Sequence, residues 1–116
     1  MANKGTFKGK KILSQSAWEA MHADPTVDFL FGDITCNFTQ GGVNKFEEPD
    51  KSVTPGRDSY YGWLGYGGSV FQWHPEYKIG FGYTPTLLEW YSADNNKGRL
   101  LQGEVVKCVQ NMQKQK

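Results

Sequence analysis

Apolar positions along this chain fall into three different patterns. The first follows Gly9-Lys10-Lys11-Ile12-Leu13-Ser14, which reads as a short extended piece leading into a helix. Ser16-Ala17-Trp18-Glu19 has capping-box spacing, and Asp24-Pro25 ends the helix after about two turns because a residue before proline is driven out of helical geometry. Trp18 and Met21 then share a side. From Thr26 to Ser59 neither a period of 2 nor one of 3.6 is sustained, and Gly32, Gly41-Gly42 and Pro55-Gly56-Arg57-Asp58 read as turns or loops. Alternation returns at Tyr60–Leu64, Ser69–His74 and Ile79–Tyr83, with Pro75-Glu76-Tyr77-Lys78 as a turn. In the last of these strands Ile79, Phe81 and Tyr83 share one face. Gly80 and Gly82 leave the other bare, which predicts a helix or crossing backbone close against it. From about Lys97 the chain is helical, with Leu101, Val105, Cys108 and Met112 as an apolar stripe.

Composition narrows the class. The 116 residues carry 14 Gly, 4 Trp, 6 Tyr and 7 Phe, enough bulky apolar area for an ordered domain. Thirteen Lys and Arg against twelve Asp and Glu leave a net charge of +1, so no long-range field marks the chain for nucleic acid. No run approaches the roughly 18 apolar residues of a membrane span, and MANKGTFKGKK lacks the apolar stretch of a signal peptide. The chain therefore reads as a soluble single domain over residues 1–116.

Candidate chemistry is sparse. Cys36 and Cys108 are too few for a disulfide scaffold and read as two buried thiols, and Asn37-Phe38-Thr39 is a sequon of weight only in a secreted chain. His22 and His74 have no second ligand at metal spacing, so no metal or other cofactor is expected; His22 reads as a polar outward residue and His74 as a strand-end or turn residue. No serine lies in Gly-x-Ser-x-Gly or Ser-x-x-Lys, and a serine without an adjacent base is no nucleophile. The most pointed segment is Gly62-Trp63-Leu64-Gly65-Tyr66-Gly67-Gly68-Ser69, four glycines in eight residues between two strands. It reads either as a glycine-rich hairpin or as a strand edge offering backbone N–H groups to a substrate, the donors of which oxyanion holes are built. With no Gly-Lys-Ser/Thr following, it is not a phosphate loop.

Trp63-Leu64-Gly65, Tyr66-Gly67-Gly68-Ser69, the Pro75-Glu76 turn and Ile79-Gly80-Phe81 together resemble the carboxy-terminal third of the β-lactamase-related serine hydrolases, a family of class C β-lactamases, penicillin-binding proteins and esterase-like relatives. Gly5, Gly9–Ser14 and Trp18–Met21 extend the resemblance upstream, leaving Thr26–Ser59 as its weakest part. The resemblance implies an α+β fold of the α/β serine-hydrolase type: about three antiparallel strands, a short helix before them and a carboxy-terminal helix packed on the sheet. It further implies that Trp63 stands where the family has Lys or His, Leu64 where Thr is frequent, and Gly65 on the family's glycine. Tyr66 stands where a backbone N–H completes the oxyanion hole. Trp63 lacks the positive charge of Lys or His, which favours an ester or peptide-like substrate over a β-lactam. Asn44, Arg57 and Tyr61 are polar neighbours without an assigned role.

The same resemblance explains why Ser-x-x-Lys and Tyr-x-Asn are missing: in the family they precede this portion. The expectation is thus a partial hydrolase domain, inactive alone, whose parent transfers an acyl group from a small ester, amide or peptide-like molecule to water. The rival is a binding module with Trp63, Tyr66, Trp73, Tyr77 and Trp90 as an aromatic platform for a sugar or peptide.

Overall fold

The computed structural model describes residues 1–30, 34–47, 56–88 and 96–115. A two-stranded hairpin, β1 (Thr6–Phe7) and β2 (Lys10–Lys11), comes first and is followed by helix α1 (Gln15–His22). Six strands then run as an antiparallel sheet: β3 (Thr26–Leu30), β4 (Ile34–Phe38), β5 (Asn44–Lys45), β6 (Tyr61–Leu64), β7 (Val70–His74) and β8 (Ile79–Tyr83). Each strand pairs with the next in sequence, and helix α2 (Asn96–Lys114) ends the fold.

This overturns the expected three-stranded serine-hydrolase segment, because half of the sheet lies in the stretch read as patternless. Ile34, Cys36 and Phe38 do alternate with Thr35 and Asn37, but β4 is short and β5 has only two residues. Backbone pairing supplies what the pattern does not. Leu30 pairs with Ile34, and Gly42 at φ +72° allows the turn in which its N–H donates to Thr39 O. The later strands follow the sequence expectation closely, β8 to the residue.

Helix α1 begins two residues earlier than its capping-box motif implies. Ser14 is the N-cap, its hydroxyl accepting the Ala17 N–H at 3.0 Å, while Glu19 accepts from Gln15 Nε2 at 2.8 Å instead of closing on Ser16. The helix stops at His22, short of Asp24-Pro25.

The two helices lie on opposite faces of the sheet. On one face Phe46, Tyr60 and Ile79 form the core, with Leu64, Phe81, Tyr77 and the α2 residues Val105, Val106 and Val109 packed against them. The buried line on α2 is therefore out of phase with the stripe read from sequence, since Leu101, Cys108 and Met112 are exposed and Gln102 is fully buried. Gln102 enters the interior because its amide is partnered there, which removes the usual penalty for burying a polar group. Cys36 is buried as expected, whereas Cys108 is exposed.

On the other face α1 docks through His22, which is buried, not turned outward, and accepts a hydrogen bond from Trp73 of β7 at 2.8 Å. Gly80 and Gly82 pair with Trp73 and Phe71 and so share this face. No neighbour presses on them: a Cβ at either position meets no atom within 4 Å. Among the described residues no helix is long and apolar enough to cross a membrane.

Candidate functional site

The β6–β7 hairpin places the residues singled out by sequence. Gly65 N–H donates to Ser69 O at 2.7 Å, and Gly68 N–H donates back to Gly65 O at 3.1 Å. Gly67 occupies the third place of this four-residue turn at φ +85°, the conformation that a type II turn reserves for glycine. A side chain at Gly67 would also run into Leu88, 2.6 Å from the Cβ position. The segment is thus a glycine-rich hairpin, and its turn geometry decides which N–H groups are engaged.

Tyr66 stands second in the turn, where the backbone N–H points away from the ring of turn hydrogen bonds. Among the described residues its N–H has no hydrogen-bond partner, and its side chain is 75 % exposed. Gly65 N–H, by contrast, is committed to the turn. Trp63 is 42 % exposed, pairs across the ladder with Phe71, and holds its ring 5.2 Å from Phe38. Leu64 turns its side chain into the core beneath α2, leaving only its backbone toward a ligand. An open donor and an exposed indole are therefore adjacent.

Gln72 was not among the residues singled out by sequence, yet it ties this hairpin to the interior. Its Nε2 lies 3.5 Å from Trp63 O, and its Oε1 accepts from Gln102 Nε2 at 2.6 Å. Gln102 Oε1 accepts from Arg57 Nε at 2.9 Å. All three side chains are essentially sealed from solvent, at 2 % exposure or less. The chain Arg57–Gln102–Gln72 runs from a loop, through α2, to β7, from which Gln72 reaches the Trp63 carbonyl on β6. A glutamine between Phe71 and Trp73 and another beside Leu101 in the carboxy-terminal helix are its traces in the sequence.

Asn44, Arg57 and Tyr61 are structural neighbours. Asn44 Oδ1 accepts the Asn37 N–H at 2.6 Å, Arg57 is buried over the Phe46 ring, and Tyr61 lies edge-on to His22 with its hydroxyl pKa raised by burial. The five-aromatic platform is not assembled. Trp73 is 5 % exposed with its Nε1 bound to His22, Tyr77 packs on His74, and Trp90 lies outside the described residues.

Both imidazoles are held toward neutrality. Burial lowers the His22 pKa, against the opposing pull of its bond to Trp18 O, and burial lowers that of His74 against the charge of Glu76. Among the described residues neither ring contacts a serine hydroxyl; His22 faces Trp18, Tyr61 and Trp73, and His74 faces Tyr60 and Tyr77. What the arrangement offers chemically is a donor for developing negative charge, with no base or nucleophile beside it among the described residues. No family model, curated protein or solved structure matches the chain.

Proposed function

We propose that this chain supplies the strand hairpin and the oxyanion-binding N–H of a β-lactamase-related serine hydrolase. The observation that carries the reading is the Tyr66 N–H, left without a partner among the described residues by a turn that engages the N–H groups of Gly65 and Gly68. An N–H fixed in a rigid turn needs no reorganisation when a carbonyl oxygen becomes negative, which is what makes such donors effective. Trp63 would border an ester or peptide-like substrate with an apolar wall in place of a cation.

The nucleophilic serine and its lysine are the components that the 116 residues lack in Ser-x-x-Lys spacing. Alone, the chain leaves p-nitrophenyl acetate hydrolysis at the solvent rate. The deciding experiment is to read the transcript upstream of the Met1 codon. An in-frame Ser-x-x-Lys followed by Tyr-x-Asn supports the reading, and an in-frame stop with neither motif overturns it.

A further inference from the structure

The bare glycine stripe of β8 is the floor of a groove. Gly80 and Gly82 lie open on the sheet face that also carries Phe71, and the β1–β2 hairpin forms the opposite wall with Phe7. Both phenylalanines are largely exposed, at 73 % and 60 %. The space between the walls is about 380 Å³. Ala2, Asn3, Thr6 and Lys78 line both this space and a second hollow of about 460 Å³, which Lys4 and Lys8 also line. Each volume is that of a small-molecule site, roughly 300–1,000 Å³.

The charge along this groove is one-sided. Residues 1–18 contain four lysines and no acidic residue, in a chain whose net charge is only +1. Lys4, Lys8 and Lys78 make no ion pair among the described residues, and the one carboxylate in the adjoining turn, Glu76, is exposed. Lys4 and Lys8 instead lie over the rings of Trp18 and Phe7, at 5.8 and 5.4 Å. An apolar trough thus lies beside three ammonium groups that make no ion pair with the described residues.

We infer that this groove binds a single-chain carboxylate, with its alkyl chain laid along Gly80 and Gly82 between Phe7 and Phe71 and its carboxylate among Lys4, Lys8 and Lys78. The absence of side chains on the floor lets a methylene chain reach the backbone, and the two rings flank it. The lysines supply the complementary charge. The inference rests on the groove alone and stands independently of the hydrolase reading.

Calorimetric titration of the 116-residue chain with dodecanoate below its micellar concentration, together with the amide shifts of Gly80 and Gly82, tests it. Saturable binding is expected, tightening roughly tenfold for each two methylenes between octanoate and dodecanoate, the increment for burying that much chain. Lys8→Glu with Lys78→Glu should weaken dodecanoate at least fivefold. Gly82→Val, whose Cβ meets no atom within 4 Å, should weaken it comparably by filling the floor. Dodecyltrimethylammonium should not compete. No saturable binding, equal affinity for the cationic amphiphile, or association only with phosphatidylserine vesicles would overturn the inference, the last outcome marking a membrane surface instead. Because no ester is present, the result leaves the hydrolase reading untouched in either direction.

Discussion

Trp73 donates its indole N–H to His22 Nε2 at 2.8 Å, while His22 Nδ1 lies 2.7 Å from Trp18 O. An imidazole that accepts at one nitrogen and reaches a carbonyl with the other is neutral, with the proton on Nδ1. Protonation would place a second N–H against the Trp73 N–H and break the contact that joins α1 to β7. His22 and His74 both have folded-state pKa values lowered from 6.5, chiefly by burial. The unfolded chain therefore binds more protons just below that value, so stability is fully present above pH 6.5 and declines as pH falls toward the folded-state values. Each imidazole contributes a slope of at most about 1.4 kcal/mol per pH unit. Urea unfolding at pH 7.5, 6.5 and 5.5 should show the decline, and His22→Gln with His74→Gln should flatten it even though both variants start from lower stability.

The buried Arg57–Gln102–Gln72 chain makes Gln102 more costly to replace than its position on a surface helix suggests. Gln102→Leu removes the acceptor for Arg57 Nε and the donor for Gln72 Oε1 together, inside a region shielded from water. Loss of about 2–4 kcal/mol is expected, as for other buried polar groups that lose a partner. Gln102→Glu keeps an acceptor for the guanidinium and should be the milder change. Chemical denaturation of the two variants beside Leu101→Gln, an exposed neighbour expected to change stability by less than about 0.5 kcal/mol, checks the ranking.

Tyr60 presents the opposite case. Its ring is fully buried in the core, and its hydroxyl has no hydrogen-bond partner among the described residues. Burial pushes its pKa up to about 12. Because the folded-state value exceeds the ordinary value of 10, the neutral ring's contribution is complete below pH 10 and is lost as pH rises toward 12. Tyr60→Phe removes the unsatisfied hydroxyl while keeping the ring contacts with His74. It should leave stability unchanged or raise it by about 1 kcal/mol, and thermal melts at pH 7.5 and pH 10.5 should show the variant gaining on the parent chain at the higher pH.

Tyr66 can lose its N–H without losing its turn. Proline suits the second position of a type II turn, where φ near −65° is required and no hydrogen bond from the N–H is made. Tyr66→Pro should therefore leave the urea midpoint within about 0.5 kcal/mol of the parent. In a hydrolase assembled with its serine and lysine it should lower kcat by about 10²–10³, the usual cost of deleting an oxyanion donor. A Tyr66→Ala control keeps the N–H and should retain kcat, separating the backbone donor from the phenol.

How much of this was legible in the sequence depends on where each residue's partner lies. β6, β7 and β8 could be read because Trp63, Phe71 and Ile79-Gly80-Phe81-Gly82-Tyr83 alternate within single short runs. β3 to β5 escaped because β5 has two residues and the turns around it dominate the local composition. The phase of α2 was misread because Gln102 looks solvent-facing until Gln72, thirty positions away, gives it a buried partner. His22 offered no sign of its inward orientation, since Trp73 is 51 residues distant. In the candidate site, Tyr66 was legible from the glycines around it, whereas Gln72 was not, because nothing local distinguishes a strand glutamine that faces water from one that faces Gln102.

Glycines separate into those that the fold requires and those that it merely tolerates, and their substitution should show opposite signs. Gly62 adopts φ +128°, and a Cβ there would strike Phe71 O and approach Gln72 Cα to 2.9 Å. Both atoms belong to the paired backbone of β7, so the neighbour cannot yield without opening the ladder. Gly62→Ala should cost about 2–3 kcal/mol. Gly80 has ordinary strand geometry and open space above it, and there the missing side chain only enlarges the entropy lost on folding. Gly80→Thr should stabilise the chain by about 0.5–1 kcal/mol through strand propensity and reduced freedom of the unfolded chain. Paired urea titrations of the two variants would read the difference directly. A loss at Gly80 comparable to that at Gly62 would mean that the outer face of β8 is covered in solution.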